Sequence, residues 1–249
     1  MVTLSRRKDV VRHEHKEARL AKIREQSVTP QELSLCLDTT GARPTASIPP
    51  KLSFLVVCEG KKTEPYYIKA LKSAWRLIAE IKTVGAAGAP HKLIDAAISH
   101  EKKGVYDRVW VVFDKDDFRD IDITAAFRSA KKERIQIAFS NECFELWLLM
   151  HFQRNKLNQG RQGLIKSLNK YLPNYDKNIT PDHLKKLLPC LHTAVRHAES
   201  LTEKVVKKNK EAVPQQPYTT VHLLVRDLTT SSSRLPTIQK EIRRIFPIP

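Results

Sequence analysis

The sequence predicts an α/β fold: a mostly parallel sheet flanked by helices, followed by a C-terminal helical extension. Three observations predict it. Short apolar runs rich in β-branched residues occur at Leu52–Cys58 and Arg108–Phe113, the pattern of strands buried on both faces. Helix-like stretches separate the strand candidates, the order that gives parallel strands joined by crossovers. Beyond residue 160 strand-like runs give way to helical spacing of apolar residues.

Residues 5–26 are helix-forming but mostly charged, with only Val10, Val11, Leu20 and Ile23 as scattered apolar positions. Such a segment is either a lone basic helix or an arm that orders on a partner. Pro30, Pro44, Pro49 and Pro50 mark 27–50 as a linker. The expected division is therefore a basic N-terminal arm and linker (1–50), an α/β core (51–155) and a basic helical part packed on the core (156–249). Within the core, strand Leu52–Cys58 precedes a helix from Thr63 to Glu80. Thr63 is its expected N-cap, and Pro65 sits in the opening turn, where a missing N–H costs little. Ile81–Gly85 is a second strand candidate and Ala89–Lys102 a helix. Strand Arg108–Phe113, helix Ile123–Lys132, strand Arg134–Phe139 and helix Glu142–Phe152 complete the core. Helices are expected at Leu164–Tyr171, Pro181–Leu188, Leu191–Lys208, Thr220–Leu228 and Leu235–Ile245, with no strand between 160 and 245.

The chain of 249 residues carries 44 Lys and Arg against 27 Asp and Glu, a formal charge of +17. Basic surplus of this size suits a polyanion, because Lys and Arg displace counterions from phosphates, although solubility alone is the plainer reading. The surplus is uneven. Residues 151–249 hold 18 basic groups and 7 acidic ones, whereas 51–150 hold 17 and 14. The acids gather where the strands do. Four cysteines without C-x-x-C spacing argue against zinc or a disulfide scaffold. No secretory leader and no apolar run of membrane-spanning length is present, so a cytoplasmic protein without a membrane partner is expected.

In parallel α/β sheets ligands bind at the carboxyl ends of the strands. The first strand ends in Cys58-Glu59-Gly60 and the third in Phe113-Asp114-Lys115-Asp116-Asp117. An acid after a strand is often only a helix cap or turn former, and Asp117 fits that reading best. If the two strands are neighbours, however, Glu59, Asp114 and Asp116 converge. Crowded carboxylates repel and resist ionisation, a conflict that a hard cation such as Mg²⁺ resolves through oxygen ligands. Acids inside a basic protein then make joint sense: the bases hold a phosphate backbone and the acids hold the metal.

The segments FLVVCEGKKTEPYYIKAL (54–71), VWVVFDKDDF (109–118), FSNECFELWLLMHF (139–152) and PYTTVHLLVRDL (217–228) resemble, in order and spacing, the motifs of the RloB family. The resemblance covers most of 51–228. It implies a Toprim-like (topoisomerase–primase) fold in which one Glu and an Asp-x-Asp pair bind Mg²⁺ or Mn²⁺. Glu59 matches that Glu, and Asp114 and Asp116 match the pair. It further implies anti-phage defence by abortive infection, a companion ATPase of the ABC/AAA type and, by analogy with other Toprim nucleases, cleavage of phosphodiesters.

Lys61 and Lys62 precede a helix N-terminus, where they either grip a phosphate beside the metal or line a solvated loop. Lys61 is the candidate catalytic residue that neutralises the phosphate charge, and Lys62 a nucleic-acid contact. Glu64 is a first-turn acid, with a supporting role at the metal as the other reading. Glu142 and Glu145, three apart on an expected helix, share a face and could complete a second metal site. Glu142 is equally a first-turn acid. Glu145 lies among Phe144, Leu146, Trp147, Leu148 and Leu149, company that demands a cation or a donor. His151 reads as a hydrogen-bonded structural residue, and Trp110 and Trp147 as packing. Lys185, Lys186, Arg196, Lys204, Lys207, Lys208, Arg243 and Arg244 are the candidate phosphate-tracking residues, with a solvated helix face as the plainer alternative. Three functions are thus open: a metal-dependent nuclease; a non-catalytic regulatory or nucleic-acid-binding partner of an ATPase; and a nucleotidyl transferase. The chain has no G-x-x-x-x-G-K-[ST] loop, so ATP hydrolysis would belong to a partner. A homo-oligomer is also compatible with the sequence.

Overall fold

Pairing of short buried runs dominates the architecture. The computed structural model describes residues 52–75, 78–83, 90–154, 159–208, 213–215 and 217–229. The expected basic arm and linker (1–50) and the expected helix Leu235–Ile245 lie outside these residues. Five strands, β1 (Ser53–Cys58), β2 (Ile78–Thr83), β3 (Arg108–Asp114), β4 (Gln136–Asn141) and β5 (Tyr218–Thr219), form one sheet in the order β2-β1-β3-β4-β5. The first four run parallel, and β5 pairs antiparallel with the end of β4. The helices are α1 (Thr63–Trp75), α2 (Pro90–Glu101), α3 (Asp120–Lys132), α4 (Glu145–Leu149), α5 (Gly160–Asn169), α6 (Pro181–Leu187), α7 (Leu191–Lys208) and α8 (Val221–Thr229). The fold is the expected mixed α/β one.

Right-handed crossovers in opposite directions put α1 and α2 on opposite faces. Accordingly α2 packs on α3, β1 and β3, whereas Tyr67 of α1 meets the rings of Phe144, Trp147 and His151. Beneath α3, Phe113 and Phe139 are partners in the β3–β4 register, their ring centroids 5.4 Å apart, and Phe127 of α3 lies 5.4 Å from Phe139.

Four local expectations need correction. The helix expected to reach Glu80 ends at Trp75, and the strand begins at Ile78 rather than Ile81. Ile78–Thr83 pairs residue for residue with Ser53–Cys58, and that ladder overrides the helix preference of Ala79 and Glu80. Thr63 is not a cap but the first helical residue, and its hydroxyl donates to the Lys177 carbonyl at 2.7 Å. The helix expected over Glu142–Phe152 is only Glu145–Leu149. A strand also exists beyond residue 160: β5 has two residues, too few to show periodicity.

The C-terminal helices are tied to the sheet by a buried polar pair. Trp110 Nε1 of β3 donates to Asp227 Oδ2 of α8 at 2.9 Å, with Arg108 Nε 3.7 Å from the same oxygen. Burial raises the Asp227 carboxyl above its ordinary value, and the indole donor and Arg108 oppose the rise. Trp110→Phe is therefore expected to destabilise the protein by about 1–3 kcal/mol through loss of this donor, beyond any loss of packing. Urea unfolding checks it. The same penalty in an Asp227→Leu background, which has no acceptor for the indole, would assign the loss to packing alone.

Candidate functional site

From β1 the chain moves to β2 on one side, then crosses back to β3 on the other. The sheet order thus reverses between β1 and β3, where parallel sheets open a crevice at their carboxyl ends. Register then decides which residues enter it. Cys58 pairs with Val112, and the Glu59 N–H extends the ladder to the Val112 carbonyl at 3.0 Å. One residue past β1 therefore stands beside the last residues of β3. Glu59 is only 7% exposed, and its Oε2 accepts from the Asp114 N–H at 3.3 Å.

Asp114 ends β3. Its Oδ2 accepts from the Phe144 N–H at 3.0 Å, while its buried Oδ1 finds no donor among the described residues. Two further buried carboxylates stand close enough to act on it. Glu64, in the first turn of α1, folds back over Gly60, where any Cβ would overlap its carboxylate. A side chain at position 60 would therefore displace the Glu64 carboxylate from this position. Glu145 opens α4 and accepts from the Tyr175 hydroxyl at 3.0 Å, the donor its apolar neighbourhood demands.

The electrostatics follow from this crowding. Burial pushes the Asp114 carboxyl well above the usual carboxylate range, and the charges of Glu64, Glu145 and Glu59 push it further, against the Phe144 N–H. Glu64 is raised first by burial and then by Glu145, with backbone donors opposing. Glu59 is raised by burial and by Glu64, against the Asp114 N–H and Arg161. The Tyr175 phenol is raised by burial and then by Glu145, which keeps it a donor.

Asp116 is placed differently. It adopts φ +40°, a left-handed conformation that Asp tolerates in turns. Its N–H points at the Glu142 carbonyl at 3.4 Å, and its carboxylate is ion-paired with Arg161 at the start of α5. Glu142 lies in the turn before α4, so it does not share a helix face with Glu145 as expected. Its Oε2 is buried without a donor among the described residues, and a Cβ on Gly160 would lie 3.6 Å from that oxygen. Among the described residues, no three His, Cys, Asp or Glu side chains stand in an arrangement that would hold a metal ion without moving. Glu59 and Asp114 are joined, Glu64 and Glu145 flank them, and Asp116 is held toward Arg161.

Lys61 and Lys62 are exposed between β1 and α1, and Asp117 is exposed past β3. Lys115 is tied to the Phe118 carbonyl and to Asp120. Lys185 pairs with Asp182 at 2.9 Å, and Lys186 donates to the Tyr171 carbonyl at 3.1 Å. Arg196 and Lys204 are exposed on α7. Lys207 and Lys208 end that helix with side chains outside the described set, and Arg243 and Arg244 lie outside the described residues altogether. His151 is buried and structural: Tyr67 Oη lies 2.9 Å from Nε2, and Nδ1 faces the Trp147 and Leu148 carbonyls.

Sequence reasoning missed Arg161 and Tyr175. Arg161 had a signal, since a cation in the first turn of a helix opposes the helix dipole, and such broken local rules mark functional sites. Tyr175 lies in a loop and had none.

These features define a mixed α/β protein with a buried acidic cluster at the reversal point of a mostly parallel sheet. The RloB-like protein family model matches residues 54–228, and the chain belongs to that family. The match runs from β1 to α8 and so contains the whole cluster. No curated protein and no solved structure matches the chain.

Proposed function

We propose that this chain is a divalent-metal-dependent nuclease with a Toprim-like catalytic core, cleaving phosphodiesters in nucleic acid as part of an anti-phage, abortive-infection system. One observation carries the reading: Asp114 Oδ1 is buried without a donor while three other carboxylates crowd its side chain. A cation is the simplest partner for such an oxygen, and the donor set is all oxygen, which suits Mg²⁺ or Mn²⁺. Glu59, Asp114 and Asp116 would hold the ion, with Glu142 Oε2 and Glu145 available to a second one. Bound there, a divalent ion supplies charge stabilisation at the scissile phosphate and an acidified water. Tyr175 orients Glu145, and Lys61 neutralises the phosphate from the rim. Arg161 holds Asp116 until a phosphate competes for the guanidinium. An ABC/AAA-type ATPase partner belongs to this proposal, and the sequence itself carries no G-x-x-x-x-G-K-[ST] motif.

The Asp116–Arg161 ion pair favours a second reading. An acid already paired with a cation of its own chain has less need of a metal, as in a non-catalytic regulatory partner of that ATPase. Incubating the full chain with labelled DNA and RNA in Mg²⁺, Mn²⁺ or EDTA separates the two. The nuclease reading expects products only with metal, and at least about 100-fold slower cleavage in Glu59→Gln. Wild type that cleaves none of these substrates leaves only the regulatory reading, and a variant that cleaves equally well removes Glu59 from the site.

A further inference from the structure

Helix α1 begins four residues after Glu59, the residue that follows β1, and its outer face has an unusual composition. Lys62, Tyr66 and Lys69 are all exposed. Spaced four and three apart, they form one stripe along the helix. The Tyr66 N–H bonds to the Lys62 carbonyl at 3.0 Å, which places Lys62 at the cap position immediately before the helix. Tyr67, Ile68 and Leu71 fill the opposite, buried face. Core packing therefore gives no reason for an aromatic ring at position 66. Tyr66 is 50% exposed and, of the described large hydrophobic residues exposed to solvent, it alone is aromatic. The other two, Val105 and Ile121, lie outside this helix. The Lys69 ammonium lies 5.8 Å from the Tyr66 ring centroid, within cation–π range.

We propose that this stripe is a stacking platform for single-stranded nucleic acid, with one unpaired base lying on the Tyr66 ring and Lys62 and Lys69 pairing the phosphates on either side. The proposal deepens the nuclease reading by naming its substrate class. A solvated aromatic flanked by two lysines matches a base between two phosphates in both shape and charge. In a duplex the base faces are already stacked, so the ring has nothing to cover. The stripe starts at the rim of the acidic cluster, and a strand laid along it leads to Glu59.

The test is fluorescence anisotropy of the full chain with a fluorescein-labelled single-stranded oligonucleotide and with its duplex, both in EDTA so that no cleavage intervenes. Tyr66→Ala is expected to weaken single-strand binding about 5- to 100-fold, the range for losing one stacked base, and to leave duplex binding unchanged. Tyr66→Phe should restore it, because the ring and not the hydroxyl stacks. Lys62→Ala and Lys69→Ala should each reduce the slope of log affinity against log salt by about 0.7, one phosphate contact apiece. The position is a helix surface where Ala is the best helix former, so the variant should fold. Equal single-strand affinity of wild type and Tyr66→Ala overturns the platform, as does an equal loss on duplex or no single-strand binding by wild type. Because the readout is binding without metal, absent cleavage beside intact Tyr66-dependent binding would remove the catalytic reading and keep this one. Cleavage that persists with binding indifferent to Tyr66 would do the reverse.

Discussion

Asp114→Asn is expected to abolish cleavage and at the same time raise the melting temperature of the metal-free protein. In the native chain this carboxylate is held where burial and three acidic neighbours oppose its ionisation, and one of its oxygens has no donor among the described residues. An amide keeps the acceptor for the Phe144 N–H and offers its NH₂ to the surrounding carboxylates. Removing the repulsion is worth about 1–3 kcal/mol, and each kcal/mol moves the melting point of a chain this size by roughly 2–4 °C. Catalysis should fall by on the order of 100- to 1,000-fold, since an amide is a poor ligand for a hard cation. Excess Mn²⁺, at about a hundred times its dissociation constant, should stabilise the wild type by about 2.7 kcal/mol and the variant hardly at all. A variant that melts several degrees lower in EDTA would make Asp114 a structural residue, and one that cleaves as fast as the wild type would remove it from the site.

The second large effect is acid sensitivity. Burial lowers His151 to about 4 and His222 to about 3, from an ordinary value of 6.5. Arg226 adds to the depression at His222, and backbone hydrogen bonds oppose it at both residues. The folded protein therefore binds fewer protons than the unfolded chain between those values, so stability is full above about pH 6.5 and falls as pH drops toward 4. At pH 5 each histidine should have cost about 2 kcal/mol relative to pH 7.5. Glu59, Glu64, Asp114 and Asp227 act with the opposite sign: their raised values mean the folded state binds more protons, so acid favours it. The net pH dependence of the wild type mixes both. Urea midpoints at pH 7.5 and 5 for wild type, His151→Gln and His222→Gln separate them. Each variant should lose about 2 kcal/mol less than wild type over that interval. Variants that follow the wild-type pH dependence would mean that neither histidine is held neutral.

The parallel core was legible because strands buried on both faces advertise themselves as continuous apolar runs, as at Phe54–Cys58 and Val109–Phe113. Glu59 and Asp114 were legible for the same reason, being the first polar residues after such runs. Their meeting was not encoded locally; it needed the crossover that places β3 beside β1. Asp116 shows the limit of spacing arguments. Its place in an Asp-x-Asp pair gave no sign of the left-handed turn it occupies or of its ion pair with Arg161, forty-five positions on. Tyr175 became readable only once the loop carrying it had packed against α4.

The two-residue strand β5 has a consequence out of proportion to its size. By pairing with Ser140 and Asn141 of β4, with the Thr220 N–H and hydroxyl engaging Phe139, it covers the end of an edge that would otherwise present bare amides and carbonyls. Shortening the chain to the α/β core alone would unmask that edge together with the apolar surface beneath α8. Neighbouring copies would then supply the missing pairing, giving fibrous or amorphous association in place of a smaller folded unit.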